Sequence, residues 1–233
     1  MLHVSGFALF RCDRRDRIGG GCAVWVRNSM RCEEISVTPP FDLEAVFLIL
    51  FFARIVLVII YIPPHLAKRE NLAISEFVVD EVDKILSKNS DFDVVVCGDL
   101  NRFDMSHLSH NLNLVNCNNK PTYGDAELDF ILLSEPIAEY YDVDTAAPLD
   151  ISKIPHASLL ANPKRPLSMN CNAGVVKKVF DLRKSNIQRF LTNLGAMWTG
   201  IAFMTRTYRS MRNVQSFTVC LQLQLKRACR FLL

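Results

Sequence analysis

Asp99 and Asn101 lie two positions apart, immediately after the apolar run DVVVC at residues 93–97. Residues two apart in extended backbone face the same side, so this spacing would present a carboxylate and an amide to one small site. A carboxylate can hold a Mg²⁺-bound water or accept its proton, and an amide can donate to a phosphate oxygen. The pair suits phosphodiester hydrolysis, although both residue types are also common in plain turns.

Asp129 lies in a second apolar run, LDFILL at residues 128–133, where an isolated carboxylate is costly to bury. His156 is the candidate partner, because an aspartate that orients an imidazole fixes its tautomer and favours its charged form. Such a ring could stabilise negative charge developing on a phosphate. Tyr61 ends another apolar run, so its hydroxyl is expected at the same sheet edge as Asp99. Taken singly, each of these residues also fits a structural role.

The formal net charge of +3 is too small by itself to predict nucleic-acid binding. Local clusters are more informative. Four arginines stand close together at Arg11, Arg14, Arg15 and Arg17, and residues 205–230 carry many cations with no Asp or Glu. Either segment could meet phosphate.

The eight cysteines form no CxxC pair and no zinc-ligand spacing, which predicts free thiols in a reducing compartment. The first ten residues lack the charged start and long apolar run of a secretory signal. An intracellular location, in the nucleus or the cytoplasm, is therefore expected.

Residues 46–62 (VFLILFFARIVLVIIYI) are nearly all apolar, and their number is close to the shortest membrane-spanning helix, about 17 residues. Arg54 interrupts the run, and its content is β-branched and aromatic. We interpret it as two buried strands joined by a tight turn near Ala53 and Arg54. A membrane anchor remains the alternative, because pattern alone does not separate the two.

The elements around these residues alternate between strands and helices. A hairpin is predicted from residues 6–11 and 22–26, with Gly19, Gly20 and Gly21 at its turn, and a short strand at 34–37. The helical period runs over 66–89, and buried strands follow at 93–97, 128–133 and 156–160. This order predicts an α/β or α+β domain. Beyond it we predict a strand at 175–180, a short helix from Ser185 to Gly195, and an appendage over 196–233.

The motifs are more informative as an ordered set than one by one. The chain carries RCDRRDRIGGGCAVWVRNS, EAVFLILFF, VIIYIPPH, DVVVCGDLN, PTYGDAELDFILLS and HASLLANP, in that sequence. Over about residues 5–162 this set resembles the endonuclease domain of non-LTR (LINE) retrotransposons of the jockey and chicken-repeat type. That domain is a branch of the endonuclease/exonuclease/phosphatase superfamily. Residues 181–198 (DLRKSNIQRFLTNLGAMW) are similar to the linker that leads toward the reverse transcriptase in those elements.

The resemblance implies a four-layer helix/sheet/sheet/helix sandwich, incomplete at its N-terminus, over residues 1–165, followed by a linker and helical tail over 166–233. It implies a Mg²⁺-dependent site that nicks DNA without a small-molecule cofactor. Tyr61 would contact phosphate, Asp99 would position the water and help to bind Mg²⁺, Asn101 would polarise the phosphate, Asp129 would orient the histidine, and His156 would stabilise the transition state. The four arginines would lie near the DNA backbone.

Three departures from the family pattern bear on activity. The family's first strand, with its Asn, and the Glu that ligates the metal have no counterpart in this sequence. Where the family has Ser-Asp-His, this chain has Ile154-Pro155-His156, and no reverse transcriptase follows. We therefore expect a DNA endonuclease of impaired activity, or alternatively a non-catalytic nucleic-acid-binding relic of a retrotransposon polyprotein.

Overall fold

Two six-stranded sheets form the body of the fold. The computed structural model describes residues 4–14, 21–148 and 156–164, together with the backbone of 201–205 and 217–221. The first sheet has the order β3 (Cys32–Ile35), β4 (Glu44–Leu50), β5 (Ile55–Tyr61), β6 (Asp93–Asp99), β8 (Asp129–Ser134) and β7 (Leu114–Asn116). The second sheet has the order β1 (Phe7–Cys12), β2 (Cys22–Arg27), β11 (Ile201–Thr205), β12 (Phe217–Leu221), β10 (Ser158–Pro163) and β9 (Tyr141–Ala146).

Three helices cover the outer face of the first sheet in the part of the chain that the structure describes, namely α1 (Pro64–Arg69), α2 (Asn71–Leu86) and α3 (Ser106–Leu112). The single turn α4 (Glu135–Ala138) instead packs Ile137 and Ala138 against the core between the sheets. The helical period predicted over 66–89 is confirmed by α1 and α2. In α2 the apolar stripe of Ile74, Val78, Val82 and Ile85 is buried against the sheet. Each of these side chains contributes roughly 1.5–3 kcal/mol by leaving water.

The apolar run at 46–62 forms the central hairpin of the first sheet, as the strand interpretation predicts. Strands β4 and β5 pair antiparallel, and Arg54 takes a left-handed φ of 54° in the turn between them. Along β5, Leu57 and Ile59 face the core between the sheets, whereas Val58 and Ile60 face the helices. The strand is buried on both faces, which explains its unbroken hydrophobicity. Among the described residues, no helix is long and apolar enough to cross a membrane.

The α/β sandwich is confirmed, and the hairpin predicted at the start of the chain is the antiparallel pair β1 and β2. The tail differs from the helical appendage expected. Residues 201–205 (IAFMT) and 217–221 (FTVCL) are strands, and β11 pairs with β2 while β12 pairs with β10. Both segments are rich in β-branched, aromatic and aliphatic residues, which favour strands when partner strands are available. The predicted strand at 175–180 and helix at 185–195 lie outside the described residues, and the boundary at 165 stays a prediction.

Gly98 permits the close approach of β6 to β5 near the end of both strands. Its φ is 144°, and a Cβ placed there would lie 1.9 Å from the carbonyl oxygen of Ile60. That oxygen belongs to the backbone of a central strand, so it has little freedom to move. Any side chain at position 98 would therefore push apart the two strands that end beside Asp99.

We expect Gly98→Ala to lower the free energy of unfolding by about 3 kcal/mol, at the upper end of the usual cost of overpacking. Urea denaturation followed by circular dichroism measures this change. Gly124→Ala is the matched control, because Gly124 also has a positive φ of 56° but no atom within 4 Å of the added Cβ. A Gly98 variant no less stable than the Gly124 variant would contradict the packing argument.

Candidate active site

Four polar side chains lie along one edge of the first sheet. Glu44 begins β4, Tyr61 ends β5, Asp99 ends β6 and Asp129 begins β8. Glu44 pairs with Tyr61 across β4 and β5, and Asp99 pairs with Asp129 across β6 and β8. The backbone N–H of Ile62 donates to the carbonyl of Asp99 at 3.0 Å, which ties the ends of β5 and β6 together. The sequence-predicted residues Tyr61, Asp99 and Asp129 thus share an edge.

His156 reaches this edge from the second sheet, since it lies two residues before the start of β10. Its Nδ1 is 2.8 Å from Oδ2 of Asp129, and the two side chains are 7% and 1% exposed. The contact joins the two sheets at the site. We predicted the pairing of Asp129 with His156 because a buried carboxylate requires a partner, and the structure contains this pair.

Asp99 completes a compact cluster with this pair. Potential ligand atoms of Asp99, Asp129 and His156 all lie within 4.8 Å of one another, and all three residues are buried. Two carboxylates buried side by side are unfavourable unless positive charge or hydrogen bonds compensate them. The imidazole supplies part of that compensation, and two carboxylates at this separation also fit a divalent cation.

Thr122 holds the segment that carries Asp129, and the sequence analysis did not single it out. Its hydroxyl oxygen accepts the N–H groups of Leu128 and Asp129 at 3.0 and 3.1 Å. Its carbonyl accepts the N–H of Ala157 at 2.7 Å, next to His156. One residue therefore fixes both partners of the buried pair. The quoted motif PTYGDAELDF contains Thr122, but a threonine before a turn gives no separate signal.

Asn101 lies beside Asp99 in the conformation that a turn requires, with a left-handed φ of 54°. Its backbone N–H donates to Oδ1 of Asp99 at 3.2 Å, and its side-chain amide donates to the carbonyl of Ile62 at 2.8 Å. The turn interpretation is correct, and the extended geometry on which we based the shared face of Asp99 and Asn101 is wrong; in this turn the backbone N–H of Asn101, and not its side-chain amide, contacts the carboxylate. Asn101 also lines a cavity of 620 Å³ outside the cluster.

Arg14 approaches the site from the end of β1 and pairs with the buried carboxylate of Glu44. Its Nε donates to Oε1 of Glu44, its Nη2 donates to Oε2 at 3.2 Å, and its guanidinium lies 5.3 Å from the centroid of the Tyr61 ring. Burial raises the pKa of Glu44, and the charge and hydrogen bonds of Arg14 offset part of that shift. Arg14 thus packs against Tyr61 and Glu44 at this edge of the sheet. Its predicted contact with DNA stays a prediction.

The other arginines of the cluster are placed differently. Arg11 forms an ion pair with Asp13 at the surface, where its side chain is 41% exposed. Arg15 and Arg17 lie outside the described residues.

Glu44 is a residue that the sequence analysis missed. Its one signal in the sequence was a carboxylate at the start of the apolar run EAVFLILFF.

The fold and this edge define a class of protein. The Endonuclease/Exonuclease/phosphatase family matches residues 2–156, and the chain belongs to that family. No curated protein matches the chain.

Solved structures of similar fold have low sequence identity. The 3'-5' exonuclease (NExo) from Neisseria meningitidis is 15% identical, with 65% of this chain and 77% of that chain covered and a TM-score of 0.45. Truncated Caenorhabditis elegans TDP2 is 13% identical, with 61% and 67% covered and a TM-score of 0.47. The human nocturnin catalytic domain with bound sulfate is 14% identical, with 60% and 63% covered and a TM-score of 0.40. The match thus spans less than two thirds of the nocturnin domain.

The Arg14–Glu44 pair predicts a stability effect at a residue that the sequence would assign to DNA. Arg14→Ala should lower the free energy of unfolding by about 3 kcal/mol, because it leaves the buried charge of Glu44 without its partner. This value is at the lower end of the usual cost of breaking a buried ion pair. Arg11→Ala removes an exposed pair and should cost no more than about 0.5 kcal/mol. Urea denaturation of both variants makes the comparison. Equal stability of the two variants would show that Arg14 does not stabilise this edge.

Proposed function

We propose that this chain is a Mg²⁺-dependent phosphodiester hydrolase that nicks DNA, of the type carried by LINE retrotransposons. The observation that carries the proposal is the buried cluster of Asp99, Asp129 and His156 at the meeting edge of the two sheets. Family membership supports hydrolytic chemistry. The order of the sequence motifs supports DNA as substrate and a retrotransposon origin.

The residues present fit a magnesium ion. Hard oxygen ligands suit Mg²⁺, and the adjacent buried carboxylates of Asp99 and Asp129 gain from a positive charge between them. Asp99, with Asp129 beside it, would hold the ion. Bound there, Mg²⁺ would supply positive charge that polarises the phosphate and acidifies a water molecule.

Each side chain of the cluster then has a separate role in hydrolysis. The carboxylate of Asp99 positions the attacking water and accepts its proton. Asp129 accepts a hydrogen bond from Nδ1–H of His156, which fixes the ring so that Nε2–H donates to the charge developing on the phosphate. This arrangement concentrates donors where negative charge appears.

Two further residues assist in binding the phosphate. An amide nitrogen carries two N–H groups, so Asn101 can donate one to Ile62 and the other to a phosphate oxygen. Tyr61 ends β5 at the same edge, and its hydroxyl would contact phosphate while the Arg14 guanidinium packs on its ring. Both residues act by orientation and charge stabilisation.

A second candidate function is nucleic-acid binding without catalysis. Pro155 precedes His156, where the family that the motifs resemble has a carboxylate, and proline offers no side-chain acceptor. The basic residues of the chain would then bind phosphate sequence-independently. Such a protein would represent a decayed copy of the endonuclease.

Nicking of supercoiled plasmid DNA tests the proposal. The purified protein should convert supercoiled to open-circular DNA with Mg²⁺ and lose this activity in EDTA. His156→Ala should lower the rate by roughly 10²–10⁴-fold, because it removes an acid–base and charge-stabilising group.

His110→Ala is the matched control for this experiment, since His110 is an exposed histidine of α3 and its loss should leave nicking unchanged. A folded wild-type protein that fails to nick would favour the non-catalytic function. Nicking that persists in the His156 variant would assign the activity to other residues.

A further inference from the structure

A cavity of 620 Å³ opens next to the proposed catalytic cluster. Its lining includes Lys68, Asn101, Arg102, Tyr123 and Asp125. Two of these residues also belong to the active site. Asn101 hydrogen-bonds to Asp99 through its backbone, and the ring centroid of Tyr123 lies 4.4 Å from that of His156. Whatever occupies the cavity therefore lies beside the group being hydrolysed.

The charge of the cavity favours an anion. Lys68 and Arg102 are both exposed, and neither forms an ion pair with a carboxylate in the part of the chain that the structure describes. Asp125 is the acidic residue of the lining, so the cations outnumber it by two to one. A phosphate group gains from both cations without displacing an existing partner.

The cavity is built on fixed backbone. Lys68 lies on α1, which starts at Pro64 and is anchored by the buried side chains of Leu66 and Ala67. Tyr123 and Ala126 form a backbone bridge, with N–H to carbonyl distances of 3.0 and 2.9 Å in the two directions. The backbone that carries Lys68 and Tyr123 is therefore fixed by contacts within the protein.

We propose that this cavity binds one nucleotide of a DNA strand, the neighbour of the phosphate that is cleaved. Lys68 and Arg102 contact the backbone phosphate of that nucleotide, and Tyr123 provides an aromatic surface for its base. A positive groove that follows the backbone, with aromatic side chains for the bases, is the usual way in which proteins hold a polynucleotide strand. The volume lies within the range of small-ligand sites, about 300–1,000 Å³. This inference deepens the proposed function and rests on it for the choice of DNA.

Binding to a labelled single-stranded DNA oligonucleotide, measured by fluorescence anisotropy in EDTA, tests the phosphate contacts without cleavage. Lys68→Ala and Arg102→Ala should each weaken binding and reduce the slope of log affinity against log salt by about 0.7, the value for one lost phosphate contact on a single strand. Asp125→Asn should strengthen binding, because it removes the opposing charge. Lys88→Ala is the matched control, since exposed Lys88 precedes the start of β6, at the opposite end of the strand from Asp99.

The aromatic contact has its own pair of variants. Tyr123→Leu should weaken DNA binding about tenfold, as expected for loss of one base stack, whereas Tyr123→Phe should retain wild-type affinity. If the hydroxyl of Tyr123 rather than its ring were needed, Tyr123→Phe would also weaken DNA binding.

The outcomes separate this inference from the proposed function. Salt slopes that fall in the Lys68 and Arg102 variants support the cavity as a DNA site even if the protein does not nick plasmid. Unchanged slopes and affinities in both variants would overturn the inference even if nicking is observed. Binding of inorganic phosphate through Lys68 and Arg102, with DNA affinity unaffected by their loss, would also overturn it.

Discussion

The carboxylates of Asp99 and Asp129 are buried next to each other where β6 and β8 pair, and the site around them follows from that fact. Charge taken out of water must be compensated by hydrogen bonds, by opposite charge or by a metal ion. Here Asn101 donates a backbone N–H to one carboxylate, and His156 contacts the other. This buried cluster is the feature on which the proposed phosphate chemistry rests.

The two sheets are needed for this arrangement because neither holds the whole cluster. The first sheet contributes both carboxylates, and its strands β5 and β6 approach closely because position 98 is a glycine. The second sheet contributes His156, which Thr122 links back to the segment of Asp129. Helices α1, α2 and α3 pack on the other face of the first sheet.

The sequence predicts those features that follow from a local hydrophobic pattern or from the energetic cost of burying one charged group. Unbroken apolar runs predicted β5, β6 and β8, the helical period predicted α2, and the cost of burying Asp129 predicted its pairing with His156. The Arg14–Glu44 pair could not be predicted in the same way, because it joins residues thirty positions apart and depends on how the sheets pack. The short helix α3 (SHLSHNL) was missed because only two of its residues, Leu108 and Leu112, are buried. The strands at 201–205 and 217–221 depend on partner strands far away in sequence, which local patterns do not reveal.

Calorimetric titration of Mn²⁺ into the protein without DNA tests the central claim most directly, namely that the buried carboxylates form a divalent-metal site. The account predicts a single site in the wild type and in Asp80→Asn, whose aspartate is exposed on α2. Asp99→Asn should weaken binding by at least about tenfold, because affinity depends on the number of charged ligands. Equal affinity in the wild type and the folded Asp99 variant, or no binding to either, would contradict the account.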